Sequence, residues 1–162
     1  MSLDKDALGA LKRLEYGVYI VTMGKGETGN AFTASWVTQV SSEPPLVAVA
    51  IHNKHQSARL LNDQGSFVVN ILPAEGEPVA RSYYGPAESG YEKLKATSVT
   101  ASPATGTPII HGAAAYIECK IVQRVATGNH TLYMGEVVGG ESLLESPVLS
   151  TSTCKLRYLG SY

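Results

Sequence analysis

The chain has 162 residues and a formal net charge of −1, from 13 lysines and arginines against 14 aspartates and glutamates. Its length suits a single domain with a sizeable core, and its balanced charge provides no basic field for nucleic acid or an anionic membrane. Cys119 and Cys154 have neither C-x-x-C spacing nor the number needed for a disulfide scaffold, so we interpret them as ordinary thiols.

The N-terminal segment, MSLDKDALGALKRLEYG, predicts a helix instead of a leader. It carries acidic residues where a secretory signal needs positive charge. Leu8, Leu11 and Leu14 recur at helical offsets after Asp4, which predicts a short amphipathic helix over residues 4–14. No stretch reaches the roughly 20 apolar residues of a membrane span. We therefore expect one cytoplasmic domain over residues 1–162 that binds no membrane.

Residues 24–29, GKGETG, match the G-x-G-x-x-G spacing of a dinucleotide-binding loop. That fingerprint holds a pyrophosphate only where the third glycine opens a helix. The following segment, 31–40, alternates with period two and is dense in β-branched residues, which favours a strand. In addition, no acidic residue follows the next strand, where a ribose-binding carboxylate is expected. We interpret residues 24–30 as the turn of a β-hairpin.

Most of the remaining chain predicts strands. Four runs rich in apolar and β-branched residues carry this prediction: 46–51, 66–72, 115–125 and 131–138. Residues 55–63, which Gly65 follows, predict a helix, and residues 73–108 a loop-rich segment. The regular strand–helix alternation of a doubly wound parallel sheet is missing. An antiparallel barrel or sandwich with peripheral helices therefore fits better.

Six segments in this order resemble the flavin reductase-like proteins: NAFTASW, VSSEPPLVAVAI, NKHQSARLL, GSFVVNIL, GTPIIHGAAAYIECKIV and GNHTLYMGEVV. The likeness runs from about residue 8 to the C-terminus. It implies a mainly β fold, the FMN-binding split β-barrel, which is antiparallel and Greek-key-like with a few peripheral helices. It also implies a homodimer. The form TASW, ending at Trp36, is closer to the flavoredoxin-like and rubredoxin-reductase-like members.

The resemblance places the strand 31–40 along the flavin ring. Thr33, Ala34 and Ser35 would then offer backbone N–H groups, two hydroxyls and close approach to the ring edge, with Trp36 beside them. From the residues alone, the same segment is also the polar side of an ordinary strand. The resemblance favours cofactor binding.

The segment from Asn53 to Ser57 lies where a strand gives way to a helix, which suits an anion such as the FMN phosphate. We expect Asn53 to cap the helix, and Lys54, His55 and Ser57 to hold the phosphate together with the N–H groups of the first turn. A solvated helix entry is the alternative. A metal site at His52 and His55 is a further one, although no carboxylate or thiol lies nearby in the sequence.

Three more residues are candidates through the resemblance. Asn70 lies within the apolar run FVVNIL, where a buried amide needs a partner; the resemblance makes that partner the flavin, and neighbouring backbone is the alternative. Lys93 corresponds to a basic residue near the flavin, or is simply solvated. His130 corresponds to a catalytic histidine on the open side of the flavin, or is structural. Asn129 stands where many relatives have Asp, which removes a carboxylate that would tune that imidazole.

No motif for a nucleophile or a metal-dependent hydrolase occurs, such as G-x-S-x-G or H-E-x-x-H. Hydride transfer needs neither, because the cofactor carries the reactivity. We predict an FMN-binding flavin reductase that oxidises NADH or NADPH and reduces free flavin or a small redox protein such as rubredoxin. The alternatives are an FMN-containing electron carrier, and a haem-binding module with His111 or His130 as axial ligand.

Tyrosines add support for the implied homodimer, because aromatic residues are enriched at protein interfaces. Four of them are the candidates: Tyr83, Tyr84, Tyr158 and Tyr162.

Overall fold

The computed structural model describes residues 3–85, 90–95 and 97–160, so Tyr162 lies outside the described residues. The helices are α1 (Lys5–Leu11), α2 (Gln56–Asp63), α3 (Glu77–Ser82) and α4 (Gly90–Leu94). The strands are β1 (Tyr19–Met23), β2 (Asn30–Ala34), β3 (Val37–Ser42), β4 (Pro45–His52), β5 (Ser66–Ile71), β6 (Val99–Ala101), β7 (Pro108–Ile110), β8 (Ala115–Thr127) and β9 (His130–Ser142). Within the described ranges, no helix is both long and apolar enough to cross a membrane.

Seven strands form one antiparallel sheet in the order β2-β1-β5-β8-β9-β4-β3. β2 and β3 are therefore opposite edges, yet only Ser35 and Trp36 separate them along the chain. Such a short connection spans roughly 10 Å when extended, so the sheet must curl until its edges nearly meet. The result is an antiparallel barrel that is split between β2 and β3. The predicted split-barrel fold is confirmed.

The long hairpin of β8 and β9 makes this curvature possible. Its register shifts twice, between Glu118 and Cys119 and between Ile121 and Gln123. Such bulges bend a strand and increase its twist. β8 can therefore pair with β5 while β9 pairs with β4.

The glycines of GKGETG form a turn, as predicted. β1 and β2 pair from Tyr19 opposite Ala34 to Met23 opposite Asn30. Gly24 and Gly26 adopt φ values of 74° and 51°, which glycine adopts without steric cost. The third glycine, Gly29, opens no helix, since β2 follows it directly. The hairpin interpretation is confirmed.

Two apolar clusters lie on opposite faces of the sheet. Val21, Phe67 and Tyr133 belong to the cluster inside the barrel. Ile20 and Leu72 belong to a second cluster, outside the barrel, which also includes residues of α3, α4 and the C-terminal segment. Because neighbouring residues of a strand face opposite ways, β1 is buried on both faces, and its sequence is apolar except for the buried Thr22.

The structure differs from the predicted elements in three places. The strand predicted over 31–40 is interrupted at Ser35 and Trp36, because the chain crosses there between the two edges of the split. The segment 73–108 contains α3, α4 and β6 in addition to loops. Asn53 does not cap α2, since the N-cap is His55, whose side chain accepts a hydrogen bond from the Ser57 N–H.

Candidate functional site

A cavity of about 540 Å³ opens beside the split of the barrel. This volume is typical of small-molecule sites. Its walls come from both sides of the split, the start of α2, the loop after α3, α4 and the C-terminal segment: residues 32–36, 50–52, 55–56 and 83–85, with Asn30, Lys93 and Tyr158. Six of the predicted site residues are among them: Thr33, Ala34, Ser35, Trp36, His55 and Lys93.

Ser35 and Trp36 carry polar atoms that the described part of the chain leaves unsatisfied. The Ser35 Oγ and the Trp36 Nε1 are buried, and neither has a hydrogen-bond partner among the residues that the structure describes. A buried donor without a partner costs free energy, and the great majority of such groups are paired in folded proteins. Both residues line the cavity. A polar ligand in the cavity is the expected partner.

Thr33 also lines the cavity, but its donors are already used. Its backbone N–H donates to the Tyr83 carbonyl oxygen at 3.3 Å, and its hydroxyl donates to the Ala80 carbonyl oxygen at 2.6 Å. Neither donor is therefore left for a cofactor, and that Thr33 binds one stays a prediction that rests on its place in the cavity wall. The residue instead attaches β2 to the C-terminal end of α3.

One side of the cavity is basic. The Lys93 ammonium donates to the carbonyl oxygens of Tyr83 and Gly85, and burial lowers the pKa of Lys93 from its usual value. The pKa of His55 falls to about 4, first through burial and then through the charges of Lys93 and His52. No aspartate or glutamate lies among the described residues of the cavity wall. This side therefore suits an anion.

His55 reaches this position because it begins α2. Its Nδ1 accepts the Ser57 backbone N–H at 3.1 Å, which requires the imidazole to be unprotonated at that nitrogen. The ring lies against Phe32, with centroids 5.1 Å apart. The N-terminus of α2 therefore faces the cavity through His55 and Gln56.

The neighbouring predicted residues do not line the cavity. Asn53 joins the end of β4 to the β8–β9 turn: its amide nitrogen donates to the Gly128 carbonyl oxygen at 3.4 Å, and its amide oxygen accepts the Thr131 hydroxyl at 2.8 Å. Lys54 is exposed. Ser57 is fully buried, and its hydroxyl accepts the amide N–H of Asn30 at 3.1 Å.

Asn70 likewise lies away from the cavity, in the buried middle of β5. Its amide nitrogen donates to the Ile20 carbonyl oxygen at 3.0 Å and to the Thr22 hydroxyl at 3.1 Å, and its amide oxygen accepts the Ile110 N–H at 2.8 Å. The protein itself therefore satisfies this amide. The structure favours the backbone partner that the sequence left open, and not the flavin.

His130 lies behind the aromatic side of the cavity. It is 4% exposed, and its ring centroid is 4.8 Å from that of Trp36. Its Nδ1 is 2.7 Å from the Asn129 amide oxygen and its Nε2 is 2.8 Å from the Tyr158 hydroxyl. Burial, and then the charge of His52, lower the pKa of His130. That this side chain faces the open side of a cofactor stays a prediction; His130 does not line the cavity and contacts Trp36 and Tyr158, which do.

Sequence reasoning missed several residues of the cavity wall. Tyr83, Tyr84 and Tyr158 were assigned to an interface between subunits, and His52 only to a metal pair. The residues next to these positions in the sequence do not indicate a cavity. Tyr158, for example, contacts His130, which lies 28 residues earlier in the chain.

The metal and haem alternatives receive no support from this geometry. Among the described residues, no group of three or more histidine, cysteine, aspartate or glutamate side chains could hold a metal ion. Both ring nitrogens of His130 are hydrogen-bonded. His111 is exposed, lies outside the cavity and contacts the Thr100 hydroxyl.

Known proteins resemble this chain in sequence. The NADH:FMN oxidoreductase of Rhodococcus erythropolis is 33% identical over 132 residues, which cover 82% of this chain and 67% of that protein. Diflavin flavoprotein A 1 of Synechocystis sp. is 32% identical over 143 residues, which cover 86% of this chain and 24% of that protein. The chain thus spans about a quarter of the length of the diflavin flavoproteins that it matches.

Solved structures agree with the fold. The flavin reductase component of a bacterial two-component tryptophan halogenase superposes with a TM-score of 0.81 at 28% identity, covering 91% of this chain and 92% of that one. An NADH:FAD oxidoreductase from Streptomyces globisporus, solved with NAD and FAD fragments, has a TM-score of 0.81 at 27% identity, covering 93% and 91%. The family model described as "Flavin reductase like domain" matches residues 11–151. The chain therefore belongs to the flavin reductase-like family.

Proposed function

We propose that this protein binds FMN in the cavity beside the split and uses it to oxidise NADH or NADPH, passing the electrons to free flavin or to a small redox protein. The observation that carries this proposal is the pair of unsatisfied polar atoms, Ser35 Oγ and Trp36 Nε1, in the cavity wall. The activities named for the Rhodococcus and Streptomyces relatives support it.

The β2–β3 connection would hold the flavin ring. An isoalloxazine is flat and apolar, with polar atoms along its edge. Ala34 is small and lets the ring approach the backbone, while the Ser35 hydroxyl and the Trp36 indole N–H provide hydrogen bonds to a polar edge. The aromatic side chains of Trp36 and Tyr158 add apolar contacts to the cavity wall.

The basic side of the cavity would hold the phosphate. Lys93 provides the positive charge, and the start of α2, at His55 and Gln56, lies in the cavity wall, where the helix dipole favours an anion. His55 is neutral near pH 7 because burial lowers its pKa to about 4, so Lys93 is the charged group on this side of the cavity. Of the predicted phosphate ligands, His55 and the start of the helix line the cavity and Lys54 and Ser57 do not; in this proposal Lys93 takes their place.

When bound, the flavin supplies the redox chemistry, in which a hydride leaves the reduced nicotinamide and oxidised nicotinamide and reduced flavin are the products. The residues of this chain do not need to transfer a proton to the nicotinamide. Their role is to hold the nicotinamide and flavin rings in contact and to exclude water. Correct orientation of the two rings is enough to accelerate the hydride transfer.

An absorbance spectrum followed by an anaerobic titration tests the proposal. We expect protein incubated with FMN and freed from excess ligand to be yellow, and addition of NADH or NADPH to bleach it. Protein that stays colourless after this incubation would overturn the proposal. The rates with the two nucleotides then establish which one the enzyme prefers.

A second candidate function is that of an FMN-containing electron carrier. The match to one quarter of the diflavin flavoproteins favours it, since a module of a larger protein can receive its electrons from another module. The same anaerobic experiment separates the two functions. A bound flavin that stays yellow with both nucleotides, but is bleached by dithionite, supports the carrier.

We also propose that the protein is a homodimer. A groove of about 550 Å³ on the barrel is lined by half-buried apolar side chains, including Val37, Ile71, Ile117 and Val137. A second copy would cover this surface. Light scattering should give twice the monomer mass, and Ile117→Glu should reduce it to the monomer mass. A wild-type monomer would contradict the proposal.

A further inference from the structure

Among the described residues of the cavity wall, Tyr158 alone has a hydroxyl that is hydrogen-bonded to a buried histidine, His130. Its ring meets that of Trp36 edge to face, with centroids 4.9 Å apart. Its oxygen lies 2.8 Å from His130 Nε2. The proton of this hydrogen bond belongs to either the Tyr158 oxygen or His130 Nε2.

The contact of His130 with Asn129 determines which of the two atoms is the donor. The Asn129 amide oxygen lies 2.7 Å from His130 Nδ1, and a carbonyl oxygen can only accept. Nδ1 therefore carries a hydrogen, and in a neutral imidazole Nε2 is then the acceptor. Burial lowers the pKa of His130 and keeps the ring neutral. Consequently, Tyr158 donates its proton to His130, and its oxygen can only accept from a ligand.

The segment that carries Tyr158 is anchored on both sides. Leu156 is buried in the second apolar cluster, and the Arg157 guanidinium donates to the Lys12 carbonyl oxygen. Gly160, with a φ of 82°, lies so close to Trp36 that a Cβ there would be 3.0 Å from the indole. Tyr158 is therefore held in place before a ligand arrives, which lowers the entropic cost of binding.

A hydroxyl that only accepts selects a ligand that donates. The edge of oxidised FMN presents mostly acceptors, which the donors of Ser35 and Trp36 match. The reduced nicotinamide carries a carboxamide with two N–H donors. We propose that Tyr158 binds this carboxamide N–H, and that His130 is a positioning residue that keeps the Tyr158 proton turned away from the nicotinamide. This inference rests on the proposed function.

The first experiment compares two nucleotides that differ in the group at issue. In 3-acetylpyridine adenine dinucleotide a methyl group replaces the carboxamide nitrogen of NAD⁺, so the substituent on the pyridine ring has no N–H. Both oxidised nucleotides are titrated into FMN-loaded protein by calorimetry. We expect wild type to bind NAD⁺ about 5- to 10-fold more tightly, the worth of one hydrogen bond, and Tyr158→Phe to bind both alike. Equal binding by wild type would overturn the inference.

The second experiment separates Tyr158 from the rest of the cavity. Tyr158→Phe should raise the KM for the preferred reduced nucleotide about 5- to 10-fold, with kcat unchanged. Its FMN affinity should stay within about twofold, as read from the fluorescence of Trp36, the single tryptophan. Tyr16→Phe is the control, since Tyr16 is half-buried and lies outside the cavity. Loss of FMN affinity in Tyr158→Phe, with KM unchanged, would overturn the inference.

The third experiment tests His130 as a positioning residue. His130→Leu removes the acceptor and should raise KM as much as Tyr158→Phe, while His130→Gln keeps an acceptor and should restore part of the loss. The double variant Tyr158→Phe with His130→Leu should be no worse than either single variant. Additive losses would show that His130 does not act through Tyr158.

These outcomes are distinct from failure of the proposed function. If wild type binds no FMN, the proposed function fails and the inference with it. If wild type binds FMN and the nucleotide bleaches it, but Tyr158→Phe behaves as wild type in both titrations, only the inference fails.

Discussion

Asn70 and the pair of Ser35 and Trp36 are buried polar groups on the same barrel, and the protein treats them differently. All three hydrogen bonds of the Asn70 amide go to the chain itself, at 2.8 to 3.1 Å. The Ser35 hydroxyl and the Trp36 indole N–H have no partner in the described part of the chain. Asn70 is hydrogen-bonded to Ile110 of β7, whereas Ser35 and Trp36 lie at the split of the barrel.

This difference separates a structural polar group from one available to a ligand. A satisfied buried amide stabilises the fold, and its removal leaves its partners unsatisfied. An unsatisfied group at a cavity adds nothing to the free protein and gains its hydrogen bond on binding. Substitutions in the two regions should therefore affect different measurements.

The largest effect on folding is expected at Asn70. Asn70→Ala should lower the free energy of unfolding by about 3 kcal/mol, because it leaves the Ile110 N–H without its acceptor in the core. Urea denaturation measures this loss. Gln123→Ala, which removes an exposed amide, is the control and should change little. A loss below about 1 kcal/mol at Asn70 would contradict its structural role.

The largest effect on binding is expected at Lys93. Lys93→Met should weaken FMN binding about 10- to 100-fold, because a charged hydrogen bond to the phosphate is lost. Fluorescence titration measures the affinity. Lys95→Met, two residues further along the chain, is the control, since Lys95 is exposed and paired with Glu92. Unchanged affinity in Lys93→Met would show that the phosphate lies elsewhere.

A smaller effect is expected from the protonation of His55. Its pKa is about 4 when folded and 6.5 in its ordinary state, so between these pH values the unfolded chain binds more protons. The free energy of unfolding should therefore fall as the pH drops from 6.5 to 4, by about 1–2 kcal/mol once solvent screening of this partly exposed ring is allowed for.

Denaturation of the FMN-free protein at several pH values measures this loss. His55→Asn keeps a side chain that caps helices well and should flatten the dependence between pH 6.5 and 4. His111→Asn, at an exposed histidine outside the cavity, should leave it as in wild type. Burial also lowers the pKa of His130, so part of the slope remains in His55→Asn; a slope as steep as that of wild type would assign the titration to other groups.

The smallest effect is expected at Ser35. Ser35→Ala removes a hydroxyl without a partner in the described chain, so the free energy of unfolding should stay within about 0.5 kcal/mol of wild type. FMN binding should weaken about 3- to 10-fold through the lost hydrogen bond. Parallel denaturation and FMN titrations measure both. A destabilised variant with normal FMN affinity would reverse the assignment of the two regions.

Much of the local structure follows from the sequence. The period-two pattern over residues 31–40 and the glycines at 24 and 26 predict the hairpin, because side-chain alternation and positive φ values depend on neighbouring residues only. The resemblance adds the fold and places Thr33 to Trp36, His55 and Lys93 in one region. All of these line the cavity.

The sequence by itself determined the strands, the hairpin turn and the family of this protein, since these depend on residue types at short spacing and on their order. Only the tertiary structure decided where the barrel splits, that Asn70 is satisfied by a residue 40 positions away, and that Tyr158 covers His130 from 28 positions away. Whether a polar group serves the fold or a ligand depends on which distant atoms reach it, and no local pattern of residues encodes that distance.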